Sequence, residues 1–485
     1  MKKFFCFFIF AAAAAFLTAC SAKGGQSVNL PGLNEDIITE SAENDAETKI
    51  EFPKADMNGK KFVILTSGWW GTGENPLEVS DLCPEELIGE QLNDAAYNRK
   101  IKIEEQYNCK IEQIKGSYDP VDDVGRVKKA VQANENMYDI AMIRGLNFQG
   151  LLTGNYIIDL DGLENINFDY PWWQKQCSDA LLILGSRYGV SGNFTSIEAS
   201  LAALTAFNKS IIESYGLESP YEIVKRGEWT LGKVVEMAKI VTHDLNGDGT
   251  MTYEDMWGIA YDRDRLWNLI NGSGVNLLAI DSEGYPKITI DAYENLAKIQ
   301  NIYIKIFDES YSSNSRRIGA PFKDEGVLFK FCWALDIVEL RAYDFDFGII
   351  PIPKYDENQN SYISNIYGFG LPIICVPATN RDMENTGLFM ELMSYEGYKE
   401  LTPVFYENIL KTKSARDSES ADMIDYIFKN LHYDTGSMIN IGNFSWDICA
   451  MCETIDTNIA SFVEKNKPKY EREIEKIIAG IIEDR

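Results

Sequence analysis

Residues 228–261 read EWTLGKVVEMAKIVTHDLNGDGTMTYEDMWGIAY, and the order of patterns within them decides the fold. A helical stretch passes through an acidic loop into an apolar, strand-like segment, a step characteristic of α/β proteins. Within the loop, Asp244, Asn246 and Asp248 stand at alternate positions and Gly249 follows. Asp255 falls where a twelve-residue calcium loop carries its last ligand. A hard cation needs several oxygens converging at roughly 2.4 Å, and alternate residues of a tightly turning loop supply them. Thr250 would add its backbone carbonyl and Thr252 would act through water. A structural Ca2+ held by Asp244, Asn246, Asp248, Thr250 and Asp255 is therefore expected. Asp255 is shorter than the Glu usual at that place, which implies modest affinity. Met256–Tyr261 reads as a strand and not as an exiting helix, so the loop is a staple and not a sensor. Without a metal the same residues make a solvated acidic turn, because Asn-Gly and Asp-Gly are strong turn formers.

The chain starts MKKFFCFFIFAAAAAFLTAC: two lysines, an apolar run from Phe4 to Phe16, and a small-residue ending at Cys20. The run is too short for the ~20 residues of a membrane-crossing helix and reads as an export signal. Its Leu-Thr-Ala-Cys ending resembles bacterial lipoprotein signals, which implies cleavage after residue 19 and a lipid anchor on Cys20. Residues 20–58 are polar and acidic without sustained periodicity and read as a flexible tether. Loss of residues 1–19 would take the formal charge from −28 to −30, which argues against nucleic acid as a partner. Beyond Cys6 and Cys20, Cys83, Cys109, Cys177, Cys332, Cys375, Cys449 and Cys452 form no disulfide framework. Several sit in apolar runs and read as buried thiols.

Outward from the central stretch, Lys61–Thr66, Lys110–Ile114 and Tyr138–Ile143 read as strands, separated by helices over 84–107 and 121–133. Strand–helix alternation implies a parallel sheet with helices on both faces. Ligands of such sheets lie beyond the carboxyl ends of the strands, where Trp69 and Trp70 follow the first strand and Arg144 the third. No GxSxG elbow, P-loop, HExxH or GxGxxG appears, and only His243 and His432 exist. Catalysis is thus not indicated, although a secreted glycoside hydrolase using a carboxylate pair stays open as a rival. Nine Trp and twenty-five Tyr supply flat faces suited to the C–H faces of sugars, with polar tips for the hydroxyls. Trp229 and Trp257 read as packing residues, Trp172 and Trp173 as either core or cleft, and Trp267 as a cleft candidate.

A helix opened by Trp-Thr, the DxNxDG loop and the Trp-Gly strand after it resemble the second lobe of extracellular solute-binding proteins of ABC importers. The likeness is to the carbohydrate-binding, maltodextrin type. It implies an α/β, two-lobe periplasmic-binding-protein-like fold (type II), each lobe a mostly parallel sheet flanked by helices. Arg187–Tyr215 resembles the first crossing between lobes, with Asn193 on its hinge-side loop. Gly326–Trp333 resembles the return crossing, Asp346–Pro353 the segment after it, and Tyr367–Pro377 a third crossing. The resemblance implies lobe 1 over 59–196 with 334–372, and lobe 2 over 197–333 with 373–485. It also implies ligand contacts from Trp333 and Trp446 beside Trp69, Trp70, Arg144, Asn193 and Trp267. The expected cargo is an oligosaccharide, with a peptide or other polar solute as the alternative. Expected partners are ABC permease subunits and, through Cys20, membrane lipid at the outer face of the cytoplasmic membrane, with the protein itself a monomer.

Overall fold

The computed structural model describes residues 50–68, 81–117, 119–289, 293–314, 322, 326–340, 343–454 and 456–484. Cys20, the signal and most of the tether, and Trp69 and Trp70 lie outside them. Lys60–Thr66 is the spine of the first sheet, since its apolar run is buried from Ile64 onward. It pairs in parallel with Cys109–Lys115 on one side and with Ile140–Arg144 on the other. Pro372–Cys375 closes the sheet antiparallel to Ile140–Arg144, Pro372 opposite Arg144. Helix Gln91–Tyr107 starts later than the sequence pattern suggests. Pro84 and the left-handed backbone at Gly89 (φ 79°) keep the preceding residues out of the helix. Helix Pro120–Gln132 begins where Asp119 accepts from the Val121 N–H, with Pro120 at the first helical position.

The second sheet runs in the order Ser312–Asn314, Trp257–Tyr261, Val327–Trp333, Ala203–Asn208, Phe347–Ile350. The first three strands are mutually parallel, and Ala203–Asn208 lies antiparallel to both its neighbours. This corrects the expected division of the chain. Phe347–Ile350 lies in the second lobe, Ile349 opposite Ala206, although 334–372 was expected in the first. Pro372–Cys375 and helix Met383–Pro403 lie in the first, although 373–485 was expected in the second. Packing decides it, because Phe389 of that helix stacks on Phe62 (centroids 4.0 Å apart, planes 4° apart). Likewise Gly326–Trp333, expected as a buried strand of the return crossing, supplies Val327–Trp333, the middle strand of the second sheet.

Beyond Pro403 the helix continues as a π-helical segment, Val404–Ser414, into the second lobe. There Ser420 of helix Ser418–Lys429 accepts from the Ile349 N–H at 3.1 Å. The last helix, Ile459–Asp484, buries Ile474, Ile477 and Ile481 on one face. Among the described residues no helix is long and apolar enough to cross a membrane.

Candidate functional site

Two of the chain segments that connect the sheets meet at one place. Ala202 and Ile366 form an antiparallel bridge, the Tyr367 N–H donates to the Leu201 carbonyl (3.1 Å), and the Ala334 N–H to the Ala202 carbonyl (2.9 Å). The end of Val327–Trp333 is thereby held against both crossings. Beside it, Trp257–Tyr261 ends and Asp262 caps helix Arg263–Gly272 by accepting from the Arg265 N–H (3.0 Å). That places Arg263, Asp264 and Arg265 on the first turn of a helix, and Trp267 at the start of the second, at the carboxyl end of a parallel strand, where α/β sheets bind ligands.

Aromatic rings fill the junction. Trp333 and Tyr367 lie 4.1 Å apart, while Phe369 stands 5.1 Å from Trp267 and 5.3 Å from Trp446. The Arg265 guanidinium lies 3.9 Å over Trp333 and that of Arg263 4.2 Å over Trp446. Two groups this close to one ring cannot share a face, so Arg265 and Tyr367 cover both faces of Trp333. Trp333 is 3% exposed and Trp267 is fully buried, whereas Trp446 is half-buried and keeps open surface. Burial works against the charge on Arg265, but Asp262, Asp336 and Asp264 outweigh it and hold the guanidinium pKa above its ordinary value. Its Nη2 lies 2.7 and 3.0 Å from the two oxygens of Asp336. Burial also keeps the Tyr367 hydroxyl protonated, its pKa well above the usual range. Yet the Trp267 and Trp333 Nε1–H groups, the Tyr367 hydroxyl and the Arg265 Nε–H are buried without a hydrogen-bond partner. Each such group costs about 1–3 kcal/mol.

Of the residues singled out in the sequence, Trp267, Trp333 and Trp446 come together here. Arg144 does not open onto the cluster. Its Nε donates to the Gly68 carbonyl (2.8 Å) and its Nη1 to that of Gly370 (3.2 Å), tying the strand end to the segment that runs from Ile366 into Pro372–Cys375. Asn193 joins the first crossing to helix Met383–Pro403, its Nδ2 donating to Thr402 Oγ1 at 2.7 Å. Tyr367, Phe369, Arg263 and Arg265 were not singled out. YDRDR before Trp267 carried the signal for the arginines, while Tyr367 and Phe369 read only as part of a crossing between lobes. Trp172 and Trp173 belong to the first lobe's interior, where both indole N–H groups donate to Glu391 at 2.9 Å.

The loop 244–255 is closed at its neck by backbone hydrogen bonds in both directions between His243 and Met256 (3.1 and 3.2 Å). Asp244 accepts from the N–H groups of Gly247 and Gly249, both at 2.7 Å, and both glycines have the positive φ this turn requires (73° and 84°). Asp248 accepts from the Thr250 N–H. Asp255 accepts from Leu245 (3.0 Å) and Thr252 (2.6 Å), and the Thr252 N–H leads the causes holding its carboxyl below its usual pKa. The donors are all oxygens, as a hard cation needs. Among the described residues, however, no three His, Cys, Asp or Glu side chains stand close enough to share a metal ion.

Two α/β lobes joined by crossings, with rings and arginines at the joint, define the two-lobe periplasmic-binding-protein-like class. This is the fold of ABC-importer substrate-binding proteins. One similar solved structure is the galacto-N-biose/lacto-N-biose I-binding protein of a Bifidobacterium longum ABC transporter, in complex with lacto-N-biose. It is 11% identical, with a TM-score of 0.56 and coverage of 87% of this chain and 99% of that one. A second is an ABC substrate-binding protein from Listeria monocytogenes in complex with cycloalternan (11% identity, TM-score 0.53, 87% and 99% covered). A third is UgpB from Mycobacterium tuberculosis in complex with glycerophosphocholine (13%, 0.52, 81% and 96%). No protein-family model and no curated protein sequence matches the chain.

Proposed function

We propose that the protein captures a carbohydrate at the joint between its lobes and hands it, unaltered, to the membrane permease of an ABC importer. The observation that carries this reading is the half-buried Trp446 under Arg263, set among polar groups that lack partners within the chain. A flat ring covers a sugar's C–H face, and its hydroxyls would pair with the Trp267 and Trp333 N–H groups and the Tyr367 hydroxyl. Contacts from both lobes favour closure by their differential binding energy. The lacto-N-biose and cycloalternan complexes of the similar folds support a sugar cargo. The glycerophosphocholine complex supports another polar solute as the second reading. The protein is exported, anchored through lipid on Cys20 at the outer face of the cytoplasmic membrane, monomeric and without catalytic activity.

Thermal melting across maltotetraose, lacto-N-biose, cycloalternan, glycerophosphocholine and a mixed peptide pool tests the cargo. At 100 times Kd a binder adds about 2.7 kcal/mol, so a sugar should raise Tm by several degrees. Stabilisation by the peptides alone would overturn the sugar reading. Reducing ends that accumulate during incubation with maltotetraose would instead identify a hydrolase. The reading extends to Ca2+ in the loop 244–255, drawing Asp244, Asn246, Asp248, Thr250 and Asp255 around one ion. Millimolar Ca2+ should then raise Tm over an EGTA control, and Asp248→Asn should abolish the difference.

A further inference from the structure

Two short hairpins meet tip to tip across the lobes. Leu182–Ile183, paired with Ser186–Arg187, belongs to the first lobe, where Arg187 Nε reaches Asp161 at 2.8 Å. Leu278–Ile280, paired with Pro286–Ile288, lies in the second lobe between helices Arg263–Gly272 and Tyr293–Ile306. The Leu184 N–H donates to the Gly284 carbonyl at 2.8 Å. The approach is so close that a Cβ on Gly284 would stand 2.8 Å from Leu184 Cα. Both tips are left-handed, with φ of 54° at Leu184, 77° at Gly185 and 87° at Gly284. Glycine adopts this backbone freely, but a leucine holds it only where its surroundings insist. Behind the tips, a cavity of about 230 Å³ is bordered by Asp179 and Ala180 from one lobe and Asn276 and Leu278 from the other.

We propose that the two tips are a latch. The Leu184–Gly284 hydrogen bond exists only while the lobes are together, so it biases the protein toward closure before any cargo arrives. One such bond shifts a two-state equilibrium by about tenfold, enough to hold the lobes and weak enough to let them part. The latch rests on the two-lobe reading and is independent of what the cargo is.

Hydrogen exchange and small-angle scattering on the ligand-free, full-length protein test it. In the wild type the Leu184 amide should exchange at least about tenfold more slowly than an open turn. Gly284→Ala, whose methyl drives the tips apart, should remove that protection and enlarge the radius of gyration. Leu184→Asn keeps the N–H and tolerates the left-handed backbone, so it should retain the protection and the compact radius. An unprotected Leu184 amide in the wild type would overturn the latch, as would a folded Gly284→Ala protein unchanged in both measurements. Should Gly284→Ala fail to fold, exchange in the wild type and in Leu184→Asn decides the matter. Failure of every sugar to bind would count against the cargo and leave these measurements standing.

Discussion

In the first lobe, Trp172 and Trp173 are buried and both indole N–H groups reach Glu391. At the junction, Trp267 and Trp333 are just as buried, yet their N–H groups reach nothing within the chain. Fractional exposure does not separate these clusters, whereas hydrogen bonding does. The first is complete in itself, as buried polar groups in finished cores are. The second has donors left over, the state expected of a surface that awaits a guest.

The contrast can be broken by mutation. Trp173→Ala should lower the unfolding free energy by about 3–5 kcal/mol, through a large cavity and the loss of one donor to Glu391. Denaturant unfolding measures it, and a loss below about 1 kcal/mol would mean the first cluster is not core. Next in size is a pH effect at Asp434, which caps helix Thr435–Ile439 by accepting from the Ser437 N–H at 2.7 Å. Burial pushes Asp434 up to about 6 from an ordinary 3.8. The folded state therefore binds that proton more tightly than the unfolded chain. The stability so gained is complete below pH 3.8 and is lost as pH rises through about 6. The loss is on the order of 2–3 kcal/mol, and Asp434→Asn should flatten it in melts across that range. The smallest effects come from a matched pair. Trp173→Phe should cost about 1–3 kcal/mol, because it removes one of the donors to the buried Glu391 carboxyl, whereas Trp333→Phe should change ligand-free stability by less than about 1 kcal/mol. Equal losses in the pair would erase the distinction between the clusters.

Much of the architecture is legible in the residues. The apolar runs of Lys60–Thr66, Cys109–Lys115 and Ile140–Arg144 announce a parallel sheet, and the strand after the acidic loop forms as its β-branched and aromatic residues suggest. Trp229 and Trp257 are packing residues, each with its indole N–H on a backbone carbonyl, of Pro351 and Thr252 respectively. What the pattern does not encode is partnership. Phe347–Ile350 and Pro372–Cys375 are both short and fully buried, and nothing within either says which sheet it joins. The same limit applies at the site. That Trp333 has both faces covered depends on Arg265 and Tyr367, 68 residues before it in one case and 34 after it in the other, and no local spacing reveals that.

The bridge between Ala202 and Ile366 has a mechanical consequence. Two peptides hydrogen-bonded side by side resist sliding past each other, but they flex readily out of their common plane. Joined in this way, these two connectors behave as one leaf spring, and bending out of their common plane is the motion they resist least.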